Sequence, residues 1–270
     1  PLFWFSELDG RSNRNLEQAI IENQNVIRWY AEQSLPVEVL EAHQWSLRDA
    51  PDAVSVAAAY IGAYNAKSLG VKHFIGQYMF NTPRFTSLLS DLAKMTAQYV
   101  MIESLCSEFF TQWRQVRPGL SHFSNDPDIA KGQLATTIAF ALGMRPHIIH
   151  VVSYTEADHA ANSHEVIESC KIVIGTLKNT LSEIPDPLTD SRILKKRLEI
   201  IEEESWILGI IWNMGIHLGA EDPFTDPKTL STAVQIGILD APHLRGQPCV
   251  LGRIETGPVN GSCRAINMST

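Results

Sequence analysis

Apolar side chains recur at helical spacing from Asn15 to Gln33, at Leu16, Ala19, Ile20, Ile27 and Tyr30. Asn15 is placed to cap that helix and Pro36 to stop it. The β-type run Pro36–Glu41 follows, and then an Ala-rich helix from Val54 to Leu69 that closes at Gly70. The same alternation continues down the chain. It predicts a strand over Val71–Met79, a helix over Pro83–Leu105, a strand over Glu108–Val116 and a helix over Asp128–Leu142 ending at Gly143. A fourth strand, His147–Ser153, and a helix from Ser163 to about Leu181 complete the pattern. Strand and helix thus alternate with a repeat of roughly 35–40 residues, the signature of βα units on a parallel sheet.

After Asp186-Pro187 the pattern changes. Ser191–Met214 reads as one long helix, with Lys195-Lys196-Arg197 and Glu202-Glu203-Glu204 on its solvated side. A short helix over Lys228–Gly237 and a mostly irregular tail follow. The predicted fold class is α/β: four parallel βα units of a TIM-barrel type, a half barrel, over residues 1–185, with a helical extension and tail over 186–270 in the same domain. A full barrel takes eight such units and ~250 residues, so four units make either an open sheet or half of a barrel whose other half lies elsewhere. The apolar start Pro1-Leu2-Phe3-Trp4-Phe5 reads as the interior of a longer protein, which suits a half barrel.

Composition narrows the function. Of 270 residues, 22 are basic and 30 acidic, a net charge of −8 with no basic block, so nucleic acid is not an expected partner. No apolar run approaches the ~20 residues of a membrane span, and no signal peptide is visible. Four dispersed cysteines without a CxxC pair read as reduced thiols. Together these place the chain in the cytoplasm. There is no GxGxxG, no GxxxxGK[ST] and no GxSxG, so nucleotide-binding loops and a serine nucleophile elbow are unsupported.

In parallel βα folds the functional groups gather at the carboxyl ends of the strands. Those ends offer Glu41, His43, Gln44 and Trp45, then Gln77, Tyr78 and Asn81, then Gln112, Trp113, Arg114 and Arg117. The last end offers Ser153, Tyr154, Glu156, Asp158 and His159. Amides, aromatics and a few charges suit a polar organic ligand, and Arg114 or Arg117 suits a carboxylate. Each group also has a bland reading: Arg114 and Arg117 could pair with Glu103 or Glu108, and Thr155, Asp158 or Asn162 could cap the next helix. His150, Glu156, Asp158, His159 and His164 are residue types that hold zinc or iron, but their spacing matches no ligand signature, and no metal is assigned.

Several segments carry a resemblance. Leu69-Gly70-Val71-Lys72 within Ala57–Gly76, the helix Ala135–Gly143, Glu156-Ala157 after the following strand, Asp240-Ala241-Pro242 and Asn260-Gly261-Ser262-Cys263-Arg264 lie in one register with small gaps. On these the chain resembles the epsilon (large) subunit of glutamate mutase, also called methylaspartate mutase, in its C-terminal half. The resemblance implies a (βα)8 barrel and an adenosylcobalamin-dependent isomerase that rearranges an amino-acid carbon skeleton by a radical route. It implies Glu156 as the ribose-binding glutamate, and Tyr154, at the same strand end, is placed at the cofactor with it by position alone. Gln77, Gln112 and Arg114 are placed on the substrate side by strand-end position alone. It also implies a small cobalamin-binding subunit as partner, since the family's DxHxxG motif is absent here, and the other half of the barrel either in residues before Pro1 or on a separate chain. Where the family has a lysine four residues before the glutamate, this chain has Val152. The alternative is a catalytically altered scaffold that binds a small amino or carboxylic acid or supports a partner subunit.

Overall fold

The computed structural model describes residues 1–3, 13–119, 123–180 and 186–266. Helix α1 (Leu16–Glu32) starts at Asn15, whose side chain accepts from the Gln18 backbone while Gln18 bonds back to the Asn15 backbone, a closed capping box. It leads to β1 (Val37–Glu38), the six-residue α2 (Glu41–Ser46) and α3 (Asp52–Ser68), which ends at Gly70 with φ +89°. Then come β2 (His73–Phe80), α4 (Leu88–Glu103), β3 (Thr111–Pro118), α5 (Pro127–Ala141), β4 (Ile148–Ile149) and α6 (Ser163–Thr180). The long α7 (Ser191–His217), α8 (Pro227–Gln235) and the strands β5 (Thr256–Val259) and β6 (Ser262–Ala265) follow. Leu181, the expected end of α6, lies outside the described residues.

Strands β1 to β4 form one parallel sheet in sequential order. Only β2 and β3 pair along eight residues; β1 and β4, each bonded on one side, are two residues long. A parallel sheet that always steps the same way, with right-handed crossovers, carries its connecting helices on a single face. The side chains agree. Tyr78, Phe80 and Val116 are buried together with Leu92, Ala93, Met95 and Ala97 of α4. Because side chains alternate along a strand, Gln77, Gln115 and Arg117 point to the opposite, inner face.

The structure corrects several expectations. The Glu41–Trp45 segment is a helix, too short to show a period. Helix α4 begins not at Pro83 but at Ser87, whose hydroxyl accepts from the Ser90 backbone. Gly143 does not end α5 cleanly: a 3-10 turn continues to Met144, and Arg145 takes the left-handed position at φ 48°. The tail is not irregular throughout, since β5 and β6 form a hairpin turned by Asn260-Gly261, both at positive φ. Glu204 is not on a solvated side. Helix α7 packs on both α3 and α4, and the Glu204 carboxyl is fully buried with neither oxygen hydrogen-bonded. Among the described residues no helix is long and apolar enough to cross a membrane.

Candidate functional site on the inner face of the sheet

The register sets the site. Gln77 on β2 stands opposite Gln115 on β3, and Glu38 on β1 stands opposite Ile75, so all three project from one face. Glu38 Oε1 accepts from Gln77 Nε2 and from Gln115 Nε2, each at 2.7 Å. Gln77 Oε1 lies 2.9 Å from His43 Nδ1, so α2 brings its histidine onto the same polar row. Gln77 is held from behind as well, because Gln98 Nε2 of α4 donates to its backbone carbonyl at 2.9 Å. Two residues beyond Gln115, Arg117 is 8% exposed, and His150 is docked beside it by a backbone bond to Val116 O at 2.9 Å.

Burial dominates the electrostatics. It raises the Glu38 carboxyl above its ordinary range, opposed by the Gln115 hydrogen bond, the Arg117 charge and the Gln77 hydrogen bond. It pushes His43 down to about 4, with the Arg117 charge acting the same way. His150 is lowered by partial burial and by Arg117. Arg117 is itself lowered by burial, while the charges of Glu156 and Glu38 hold it up. At neutral pH the face therefore offers a guanidinium, an acidic group, an imidazole kept neutral and two oriented amides. Arg117 can grip a carboxylate or phosphate, while His43 and Glu38 can accept from donors on the same ligand.

The residues singled out from sequence divide between the two faces. Gln77 is at the centre of the inner row. Gln112 and Arg114 have the opposite strand phase and sit under the helices. Gln112 accepts the Tyr78 hydroxyl and donates to Glu103 at 3.1 Å. Arg114 donates to the Arg145 carbonyl at 3.0 Å and lies over the Tyr99 ring. Tyr154 is buried, with its hydroxyl on Glu168 at 2.7 Å and Lys131 above its ring. Glu156 is exposed in the turn after β4, near enough to Arg117 for its charge to bear on that side chain. Glu41 is a brace: fully buried, it accepts the backbone N–H groups of Leu2 and Phe3, and burial raises it to about 7.

Asp158, His159 and Glu165 form a hydrogen-bonded chain at the head of α6. Among the described residues no three His, Cys, Asp or Glu side chains are grouped to hold a metal. Sequence reasoning missed Glu38 and Gln115. The available signal was the phase: Gln77, Gln115 and Arg117 share one strand face, whereas Gln112 and Arg114 share the other. No family model matches the chain, and no curated protein sequence matches it significantly.

Proposed function

We propose that the chain forms half of a (βα)8-type barrel and serves as the large-subunit-like part of an adenosylcobalamin-dependent mutase acting on a small amino acid of the glutamate type. In this reading it works in the cytoplasm with a small cobalamin-binding subunit and with the other four βα units of the barrel. The observation that carries the reading is the one-sided sheet. Its helices cover one face, and the other carries Glu38, Gln77, Gln115, Arg117 and His43 toward the carboxyl ends of the strands, the end at which a barrel holds its ligand.

Glu156 fits a cofactor ribose, since an exposed carboxylate can accept from two hydroxyls; Tyr154, engaged with Glu168, does not fit a contact there. When bound, adenosylcobalamin supplies the radical that starts the rearrangement. This chain's residues do the rest of the work: Arg117 holds a substrate carboxylate, Glu38 keeps Gln77 and Gln115 turned, and the inner face orients the substrate. The second reading, an altered scaffold that only binds a small acid, is favoured by Val152, which is apolar and buried at the position of the family lysine.

Electron paramagnetic resonance separates the two. A complete assembly with adenosylcobalamin and glutamate should give a radical signal that requires the amino acid. A silent spectrum from the same assembly with every amino acid tried removes the mutase reading.

A further inference from the structure

With Glu38 ionised, the chain of hydrogen bonds that joins it to Gln77 and His43 has only one consistent set of directions. An ionised carboxylate accepts and cannot donate, so the two amides on Glu38 Oε1 must both present their NH2 groups. That turns the Gln77 carbonyl oxygen toward His43 Nδ1, 2.9 Å away. A carbonyl oxygen only accepts, so the hydrogen between them belongs to Nδ1. A neutral imidazole carries one N–H, and Nε2 is left with a free lone pair. Protonation of Glu38 on its other oxygen changes nothing in this chain, because Oε1 remains an acceptor.

Three further observations say that the lone pair is available. Nε2 has no hydrogen-bond partner among the described residues, and His43 keeps 7% of its surface exposed. The ring is otherwise almost enclosed, which leaves it little freedom to turn. Burial and the Arg117 charge hold it neutral well below physiological pH.

We propose that His43 is a ligand-binding residue of the inner face, offering Nε2 as a hydrogen-bond acceptor to an N–H or O–H group of the ligand, with Gln77 and Glu38 as the positioning residues that fix its tautomer. The site is then two-ended. Arg117 receives the anionic group of a small acid, and His43 receives a donor elsewhere on the same molecule. An acid lacking such a donor leaves Nε2 unpaired and binds less well. The assignment rests on the inner face being the binding site, but its test needs no cofactor, partner or turnover.

The chain is prepared with 15N-labelled histidine, and long-range proton–nitrogen spectra are recorded at neutral pH, with His43 assigned by its loss in His43→Gln. The expected result is a protonated Nδ1 and an unprotonated Nε2, the less common tautomer of free histidine in water. An Nε2–H form overturns the proposal. In Gln77→Met, and independently in Glu38→Gln should the first variant fail to fold, the preference for Nδ1–H should be lost. A folded variant of either kind that keeps a pure Nδ1–H signal also overturns it. Absence of a radical in the mutase assay would leave this result standing, and a wrong tautomer would leave the mutase reading standing.

Discussion

Lys94 on α4 and Asp52 at the head of α3 form an ion pair of 3.1 Å with both side chains almost wholly buried. Lys94 Nζ also donates to the Thr82 carbonyl at 2.6 Å, and Asp91 stands 3.8 Å away. Burial works against the Lys94 charge, but Asp52 and Asp91 outweigh it and raise its pKa. Asp91 is raised to about 6 by burial although Lys94 lies close. The shorter distance assigns the charge pair to Lys94 and Asp52, with Asp91 accepting from Asn81 N–H and the Thr86 hydroxyl. Lys94→Met leaves two buried carboxylates without their cation and should cost about 3–5 kcal/mol. Chemical denaturation checks this, and a loss below about 1 kcal/mol would remove the pair from the account of stability.

Glu204 should make the protein less stable as pH rises. Burial lifts its folded pKa to about 8 from an ordinary 4.5, so the folded state holds its proton where the unfolded chain has released it. Its favourable contribution is complete below pH 4.5 and is lost progressively by pH 8. Glu204→Gln cannot ionise and should be more stable than the parent by about 3–4 kcal/mol at pH 7–8, with the gap narrowing to below about 1 kcal/mol by pH 5. Melting temperatures across that range give the comparison. A constant offset would mean that Glu204 does not titrate between the two states.

His43 acts in the opposite sense. Its folded pKa, near 4, lies below the ordinary 6.5, so its contribution is complete above pH 6.5 and is lost as pH falls toward 4. His43→Gln should flatten the acid limb of the stability profile over that interval. An unchanged limb would show that His43 is protonated without penalty.

Two glycines on α7 should respond oppositely to alanine. A Cβ on Gly215 would stand 2.4 Å from Pro223 Cβ and 2.8 Å from Thr229 Cγ2, against the start of α8. Gly215→Ala should therefore cost about 1–3 kcal/mol despite the better helix former. A Cβ on Gly209 meets nothing within 4 Å, so Gly209→Ala should gain up to about 1 kcal/mol. Equal effects at the two sites would contradict the packing of α7 on α8.

In the mutase reading, Arg117→Gln and Glu156→Gln each remove a charge-assisted contact to ligand, worth about 1.5–3 kcal/mol. Each should lower turnover of the reconstituted assembly by roughly 10- to 100-fold while the melting temperature stays near the parent's. Arg117→Gln should act mainly on the amino acid and Glu156→Gln on the cofactor. Unchanged turnover in either variant takes that residue out of the site.

Where the pattern of side chains had a single meaning, it was readable. Helices α1, α3, α5 and α7 announce themselves by period and caps, and Gly70 by its place after a helix. The helix α2 did not, because six residues are under two turns and show no period. The Asn260-Gly261 turn was a legible hairpin signal hidden in a segment rich in Gly and Pro. The site was legible only by half. The sequence grouped Gln77 with Gln112 and Arg114, which lie on the opposite face of the sheet, because a strand's period says that alternate residues part company, not which set the helices cover. Glu204 was misplaced for a related reason: a helix gripped by two neighbours buries more than one stripe.

The β5–β6 hairpin bonds to parts of the chain made long before it. Cys263 N–H donates to Asp52 across 211 residues, the Thr256 hydroxyl reaches the Asp49 carbonyl, and Gly261 accepts from the Ser87 backbone. Contacts this distant in sequence are closed late, after the entropy of a long loop has been overcome. During synthesis the turn before α3 and the head of α4 must wait for β5 and β6 before their backbone groups are satisfied. The nascent protein is therefore most exposed to proteases and chaperones in the interval before the hairpin docks.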